Sequence, residues 1–565
     1  VALLGLTSLA FSDGTEIAVD PGSIVVLVGP NNTGKSRALR EIHAQLIGPG
    51  GEPSLVVPEA SFAKYVDGAA ASEWLRQHSD KVVRGGQEVI ARPFAGELAM
   101  VSVEGMWAGG PPFQGLGPFF CLFANTENRL QLTGSVGAVD ALAQPATAPL
   151  QVLYLREDLE DSLAKAADRA FGHRVAVNRV AGATIHLHVG AVTGKGLPVP
   201  TNAAYREAIG ALPLVQGEGD GVRSYVGVLL SVLAAQYPLV LIDEPEAFLH
   251  PPQARQLGRE LRGLVEAETQ LVVATHSADF LQGVLDSPGA PVTVVRLTRT
   301  ADINHAAVLS AQELGELWSD PILRYSGLLD GVFHAGVVLC EGDADCRFYE
   351  ATLDAALARQ ERRAADLLFT HTGGKHRLPA AIRAMAAIGV ATRVVADMDV
   401  LSEGGLLRRI VEALGGDWSS IERDWEVTRS AVQQLGSAPP LLAVKDEMRT
   451  VLNDLEGPKL TPEMAQTLRE VVTIEDGWAR AKRSGISALP QGDASKSGER
   501  LFETLKDIGL HVVPVGELER WATDVPRHGP RWVAGALEAE VHESEGPHSE
   551  FVLELLAATQ ADPAA

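Results

Sequence analysis

The run Gly29-Pro30-Asn31-Asn32-Thr33-Gly34-Lys35-Ser36 restricts the fold of this chain more than any other feature. It fills every fixed position of the G-x-x-x-x-G-K-[ST] pattern. Ahead of it, Ile24-Val25-Val26-Leu27-Val28 is short, apolar and β-branched, the composition of a buried strand. Behind it, Arg37-Ala38-Leu39-Arg40-Glu41-Ile42 reads as the first turns of a helix. Strand, glycine loop and helix in that order make a phosphate cradle. The loop N–H groups converge and the helix N-terminus adds its dipole. Gly29, Asn31, Asn32, Thr33 and Gly34 are expected to line the phosphates of ATP. Lys35 is expected to reach the β- and γ-phosphates, and Ser36 to hold Mg²⁺.

A second motif extends this. Leu239-Val240-Leu241-Ile242 is an apolar run ending in Asp243-Glu244-Pro245-Glu246-Ala247-Phe248-Leu249-His250-Pro251. A strand ending in Asp-Glu is the second half of a P-loop ATPase. It delivers Asp243 to the Mg²⁺ shell and Glu244 to the attacking water. Gln253 to Glu268 is an amphipathic helix, with Ala254, Leu257, Leu261, Leu264 and Val265 on its apolar face. Leu271–Ala274 is a further buried strand, ending in Thr275-His276-Ser277. His276 thereby falls at the carboxyl edge of the sheet, where ligands bind, and is expected to meet the γ-phosphate. Gly217 to Ser224 is a glycine-rich turn leading into an apolar helix through Leu233. Together these motifs resemble the ABC-type ATPases, and more closely their soluble, DNA-associated branch than the transporters. In that family a signature loop of one subunit closes on the nucleotide of another. The resemblance assigns Gly219, Asp220 and Gly221 to that loop, with Glu218 where a serine is common. It implies a homo-oligomer, a dimer or higher.

The 565 residues call for two or three domains. Strand-helix alternation marks residues 1–325 as the α/β ATPase domain. Leu3–Phe11 and Glu16–Val19 read as two short strands, Leu155–Phe171 as a helix and Ala183–Val189 as an edge strand. Residues 45–150, broken by Gly/Pro-rich pieces, read as an inserted lobe of short strands and loops. The pattern restarts for 333–530. Gly336–Cys340 is a strand tipped by Glu341-Gly342-Asp343-Ala344-Asp345. Leu367–Thr370 is a second, tipped by His371-Thr372-Gly373-Gly374-Lys375. Arg393–Ala396 is a third, tipped by Asp397-Met398-Asp399. Helices between them predict right-handed crossovers and a parallel sheet. Carboxyl ends of parallel strands share one edge, so Glu341, Asp345, Asp397 and Asp399 should converge. Such a cluster repels itself unless a cation sits in it, and hard oxygen ligands suit Mg²⁺ or Mn²⁺.

Glu-Gly-x-x-Asp followed by Asp-x-Asp on successive strands resembles the Toprim domain. An ABC-type ATPase followed by Toprim resembles the overcoming-lysogenization-defect (OLD) nucleases. That resemblance implies a metal-dependent DNA endonuclease governed by an ATPase, often in phage defence, with a helicase partner in some members. It also implies a late acidic position and a nearby lysine. Glu517 and Glu519, two apart on a strand expected to run from His511 to Gly516, would face one way and help hold a second ion. Lys482, preferred over Lys496, would steady the phosphate charge. Glu244, His276, Glu341, Asp397 and Lys482 are the catalytic candidates. Cleavage of RNA, and an ATP-driven sensor or clamp with no nuclease activity, are the alternative readings.

Residues 401–478 read as a helical insertion broken at Pro439-Pro440, Ser495–Ile508 as a helix, and 531–565 as a tail with one helix at most. The net charge of −24 argues against a protein that coats nucleic acid non-specifically. Arg362, Arg363, Lys375, Arg377, Arg408, Arg409, Arg480, Lys482 and Arg483 nonetheless form a basic group in the second half, the candidate phosphate track. Cys121, Cys340 and Cys346, odd and sparse, are expected to be buried thiols in a reducing cytoplasm. No run is long and apolar enough for a membrane span, and Val1–Leu6 lacks the basic region of a signal peptide.

Overall fold

The structure, a computed structural model, describes residues 2–48, 53–140, 144–192, 198–265, 269–301, 303–309, 327–436, 441–454, 465, 468, 476–526 and 528–560. The chain divides into two compact units, Val1–Glu316 and Leu317–Ala565.

In the first unit, Ile24–Val28 is buried along its whole length, as is Gln270–Ala274. Runs apolar on both faces belong in the middle of a parallel sheet covered on two sides. They lie there. The six-stranded sheet runs Ile303–Leu309, Val292–Thr300, Ile24–Val28, Gln270–Ala274, Leu239–Asp243, Cys121–Ala124. All pairings are parallel except the antiparallel edge made by Ile303–Leu309. The helix after the glycine loop, Lys35–Ile47, buries Ala38, Leu39, Ile42 and Leu46.

Residues 45–150 are woven into this unit. Glu59–Lys64 pairs antiparallel with Leu4–Ala10, and Cys121–Ala124 supplies the far edge of the main sheet. One apolar core runs through Ile42, Ile90, Trp107, Phe113 and Leu241. Ala183–Val189 departs from the expected single strand. Thr184–Ile185 pairs with Val136–Gly137, whereas Leu187–Val189 pairs with Val175–Val177. Alternation reports exposure on two faces and is blind to which partner each piece takes.

The second unit holds a four-stranded parallel sheet ordered Leu367–His371, Gly336–Cys340, Ala391–Ala396, Leu510–Val512. Asp343–Arg359, Leu378–Ala387 and Asp493–Ile508 are its connecting helices. Gly404–Ala413, Trp418–Leu435 and Leu441–Asp454 form the helical insertion, and the expected break at Pro439-Pro440 lies outside the described residues.

Two expectations fail at the C-terminal end. The strand does not carry on into the glutamates: Gly516 turns the chain at φ 107° and Leu518–Trp521 is a 3₁₀ turn. Nor is 531–565 a tail. Pro530–Glu538 and Pro547–Gln560 are two helices, and Trp532, Val533, Phe551, Val552 and Leu555 complete the core around Phe348 and Tyr349. Their apolar residues cover one face of the sheet, which a parallel sheet needs. Among the described residues no helix is long and apolar enough to cross a membrane.

Candidate functional site

The glycine loop is shaped by backbone constraint. Gly29 sits at φ 136°, and a Cβ there would lie 2.1 Å from the Leu297 carbonyl oxygen. Only glycine lets the loop approach the neighbouring strand so closely. Gly34 and Asn32 are also left-handed. Asn304 Nδ2 donates to the Thr33 carbonyl at 2.6 Å and pins the loop to the edge strand. Lys35 is buried, and its Nζ donates to the carbonyls of Gly29 and Pro30, both at 2.8 Å. Burial pulls its pKa down against the charges of Glu244, Glu246 and Asp243.

Asp243 ends its strand beside Ser36, whose hydroxyl bonds to it. Burial raises the Asp243 pKa, and its Oδ1 is buried with no hydrogen-bond partner among the described residues. A serine hydroxyl and a carboxylate with an idle oxygen are the donor set that suits Mg²⁺. Glu244 follows at φ 47°, a strained conformation for a residue with a side chain. Its Oε1 lies 3.3 Å from His276 Nδ1. The His276 N–H donates to Glu246 Oε1 at 3.0 Å. Gly219 caps the helix Asp220–Ala235, and a Cβ on Gly221 would lie 2.9 Å from the Phe248 carbonyl oxygen. Asp220 pairs with Arg223 at 2.8 Å. Gly221 therefore packs on the turn that follows Glu244.

In the second unit, Glu341 directly follows the strand Gly336–Cys340, and its Oε1 accepts the Asp397 N–H at 3.3 Å. Asp345 opens the helix Asp343–Arg359, where its Oδ2 accepts the Gly342 N–H at 2.9 Å. Asp399 lies in the 3₁₀ turn Met398–Ser402. Burial first, then Asp397, Asp399 and Asp345, push the Glu341 carboxyl up to about 8. Burial raises Asp345 to about 6 and Asp397 to about 7, the latter against the pull of Lys482. Asp399 Oδ1 is buried with no hydrogen-bond partner among the described residues. Crowded carboxylates held above their usual range, with an oxygen idle, fit a divalent cation.

Lys482 reaches this cluster by backbone packing. A Cβ on Gly516 would fall 2.1 Å from the Lys482 carbonyl oxygen, and one on Gly485 2.0 Å from that of Pro514. The two glycines let the end of helix Gly477–Ser484 rest directly on the last strand's exit. Lys482 Nζ is then 3.0 Å from Asp397 Oδ2, 3.9 Å from Asp399 Oδ1 and 4.0 Å from Glu517 Oε2. Lys496 lies exposed on helix Asp493–Ile508. Glu519 accepts the Gly529 N–H at 2.6 Å. Ligand atoms of Glu517, Glu519 and His528 come within 4.8 Å of one another. The glutamates are gathered by the 3₁₀ turn, not by the strand alternation that the sequence suggests.

Lys375, expected in the phosphate track, pairs with carboxylates: its Nζ lies 3.2 Å from both Asp399 Oδ2 and Glu403 Oε1. Arg129 stands beside Asp243 with no spacing signal in the sequence to mark it. Arg408 pairs with Glu412 at 2.7 Å on the helical insertion.

Residues 205–281 match the family described as "AAA domain, putative AbiEii toxin, Type IV TA system". The first unit thus carries an ATPase domain on a mixed α/β, parallel-sheet P-loop fold. The chain is also similar to the Old nuclease of Escherichia phage P2, 30% identical over 173 residues. That match covers 29% of this chain and 28% of the relative. The resemblance to OLD proteins read from the motifs is met there. Solved structures overlap the chain weakly. An Smc head domain with an extended coiled coil, bound to the C-terminal domain of ScpA from Pyrococcus furiosus, has TM-score 0.36 at 9% identity, covering 56% of this chain and 99% of its own. The SMC head domain from Thermotoga maritima has TM-score 0.29 at 13% identity, covering 55% and 100%. Likeness at that level is too weak to transfer function.

Proposed function

We propose that the chain is an ATP-regulated, divalent-metal-dependent DNA endonuclease, with an ABC-type ATPase domain at 1–325 and a Toprim domain at 333–530. The observation that carries the nuclease half is the gathering of Glu341, Asp345, Asp397, Asp399 and Glu517 around Lys482. The name of the phage P2 relative supports it.

At the nucleotide site Lys35 and the loop N–H groups bind the phosphates, and Ser36 and Asp243 would hold Mg²⁺. Glu244 takes the proton of the attacking water, with His276 beside it. At the second site, Glu341, Asp345, Asp397 and Asp399 would hold one Mg²⁺ or Mn²⁺, and Glu517 and Glu519 would help to hold a second. Such ions, when bound, would supply an activated water and a counter-charge for the leaving oxygen. Lys482 offsets the negative charge that grows on the phosphate. Gly219–Gly221 act on the nucleotide of a second copy, so the working form is a homo-oligomer. The same family resemblance points to phage defence, the role of many members, and to a helicase partner of the kind that some members have.

Supercoiled plasmid and total RNA, each incubated with Mn²⁺ with and without ATP, test the proposal. Nicked or linear plasmid that changes in yield with ATP supports it. Cleavage of RNA alone replaces the substrate. No cleavage of either, with ATP turnover intact, retires the nuclease half.

A further inference from the structure

One guanidinium ties the strand carrying Asp243 to the helix that begins at Asp220. Arg129 closes the short helix Thr126–Arg129 and is 1% exposed. Its Nη2 donates to the Asp243 carbonyl at 3.0 Å and to Thr126 Oγ1 at 2.6 Å. Its own backbone meets the helix Asp220–Ala235: a Cβ on Gly227 would fall 2.3 Å from the Arg129 carbonyl oxygen. Arg223, one turn earlier on that helix, donates from Nη2 to the Leu130 carbonyl at 3.2 Å. The same helix is held to the turn after Glu244, where Ser224 Oγ donates to the Ala247 carbonyl at 2.9 Å.

This bridge is more polar than a strut requires. Arg129 Nε and Nη1 are buried with no hydrogen-bond partner among the described residues, and so is Glu246 Oε2. Glu246 is itself 7% exposed; its other oxygen accepts the His276 N–H, and the Thr275 hydroxyl also bonds to the carboxylate. Glu246, Asp243 and Glu244 supply the negative field at the Arg129 head group. Idle buried donors and an idle buried acceptor are costly, and a packed apolar side chain would brace the strand without that cost. Opposite charges that feel one another's field, each with idle polar atoms, give this region the means to form a second, better paired state.

We propose that Arg129 is a positioning residue for ATP hydrolysis. When the turn from Glu244 to Leu249 closes on nucleotide, Glu246 Oε2 takes up the idle N–H groups of Arg129. Through the Gly227 contact this shifts the helix that presents Gly219–Gly221. The proposal rests on reading the first unit as a working ATPase. It adds that the nucleotide-site strand and the signature helix of one chain move as a coupled pair.

The test uses the full chain with Arg129→Gln, Arg129→Lys and Gly227→Ala, and the double variant of the first and third. ATP Kd comes from calorimetry, and kcat, KM and the Mg²⁺ midpoint from steady-state turnover. Arg129→Gln should lower kcat about tenfold, the scale of coupling through a two-state element. ATP Kd and the Mg²⁺ midpoint should stay within about threefold. Arg129→Lys should not restore kcat, since a single ammonium cannot make the forked contacts. Gly227→Ala should show the same kcat-selective loss, and the double variant should be no worse than the single ones. Where Arg129→Gln melts below the assay temperature, Arg129→Lys and Gly227→Ala carry the test. Kd or Mg²⁺ midpoint worsening as much as kcat would mark a mere brace and overturn the proposal, as would additive losses. Wild-type protein without ATP turnover removes the ATPase reading and this proposal with it. Turnover in wild type that Arg129→Gln leaves intact removes this proposal alone.

Discussion

Glu244 holds its carboxylate out from a left-handed backbone, with His276 at 3.3 Å. Strain of this kind persists only where the surroundings over-determine it, and here the Glu244 N–H is fixed to the Ala274 carbonyl at 2.8 Å. Glu244→Gln keeps size and backbone and removes the proposed base. ATP turnover should fall by about 10²–10⁴, the range for a general base, with ATP binding retained. Turnover within a few-fold of wild type would take the role away from Glu244. Lys482 has a different job. Its ammonium, 3.0 Å from Asp397, offsets carboxylates that otherwise repel one another. Lys482→Met should slow cleavage and lower the melting temperature of the metal-free protein. Added Mn²⁺ should recover much of the melting temperature but not the rate. A melting temperature that ignores Mn²⁺ would contradict a cation site there.

At the scale of elements, two glycines decide whether the second site assembles. Gly516 and Gly485 let a helix end and a strand exit touch backbone to backbone. Gly516→Ala meets both a positive φ and the Lys482 carbonyl. It should cost at least about 1–3 kcal/mol and remove cleavage while ATP turnover continues. Denaturant melts with both assays on one preparation would show whether the losses separate. The strand Leu510–Val512 carries a pH-sensitive group. His511 is buried, and burial, then Arg393 and Lys506, pull its pKa from 6.5 to about 3. As pH drops below 6.5 the unfolded chain takes a proton that the folded chain refuses. Stability is therefore lost on acidification through that window, by at most about 1.4 kcal/mol per pH unit. His511→Phe should flatten the fall of melting temperature between pH 6.5 and 5 relative to wild type. An unchanged slope would mean that carboxylates elsewhere govern it.

Across the whole molecule, the proposed chemistry is divided between two units. Asp397→Ala should abolish nucleic-acid cleavage and leave ATP turnover near normal, since it removes a proposed cation ligand in the second unit, away from the glycine loop. Joint loss in a folded variant would refute two separable sites. The sequence alone determined what is local. Ile24–Val28 and Gly336–Cys340 were legible to the residue because buried parallel strands are unbroken apolar runs. The glycine loop, Asp243-Glu244 and the strand-tip carboxylates were legible because each motif carries its chemistry within a few residues. Tertiary structure alone decided who stands beside them. Arg129 reaches Asp243 from a short helix far earlier in the chain, and nothing in its own neighbourhood encodes that approach. It also placed Cys121–Ala124 at the sheet edge and the last two helices in the core. The reason is physical: periodicity along a chain records which face is buried, while the partner that buries it is set by packing over the whole fold.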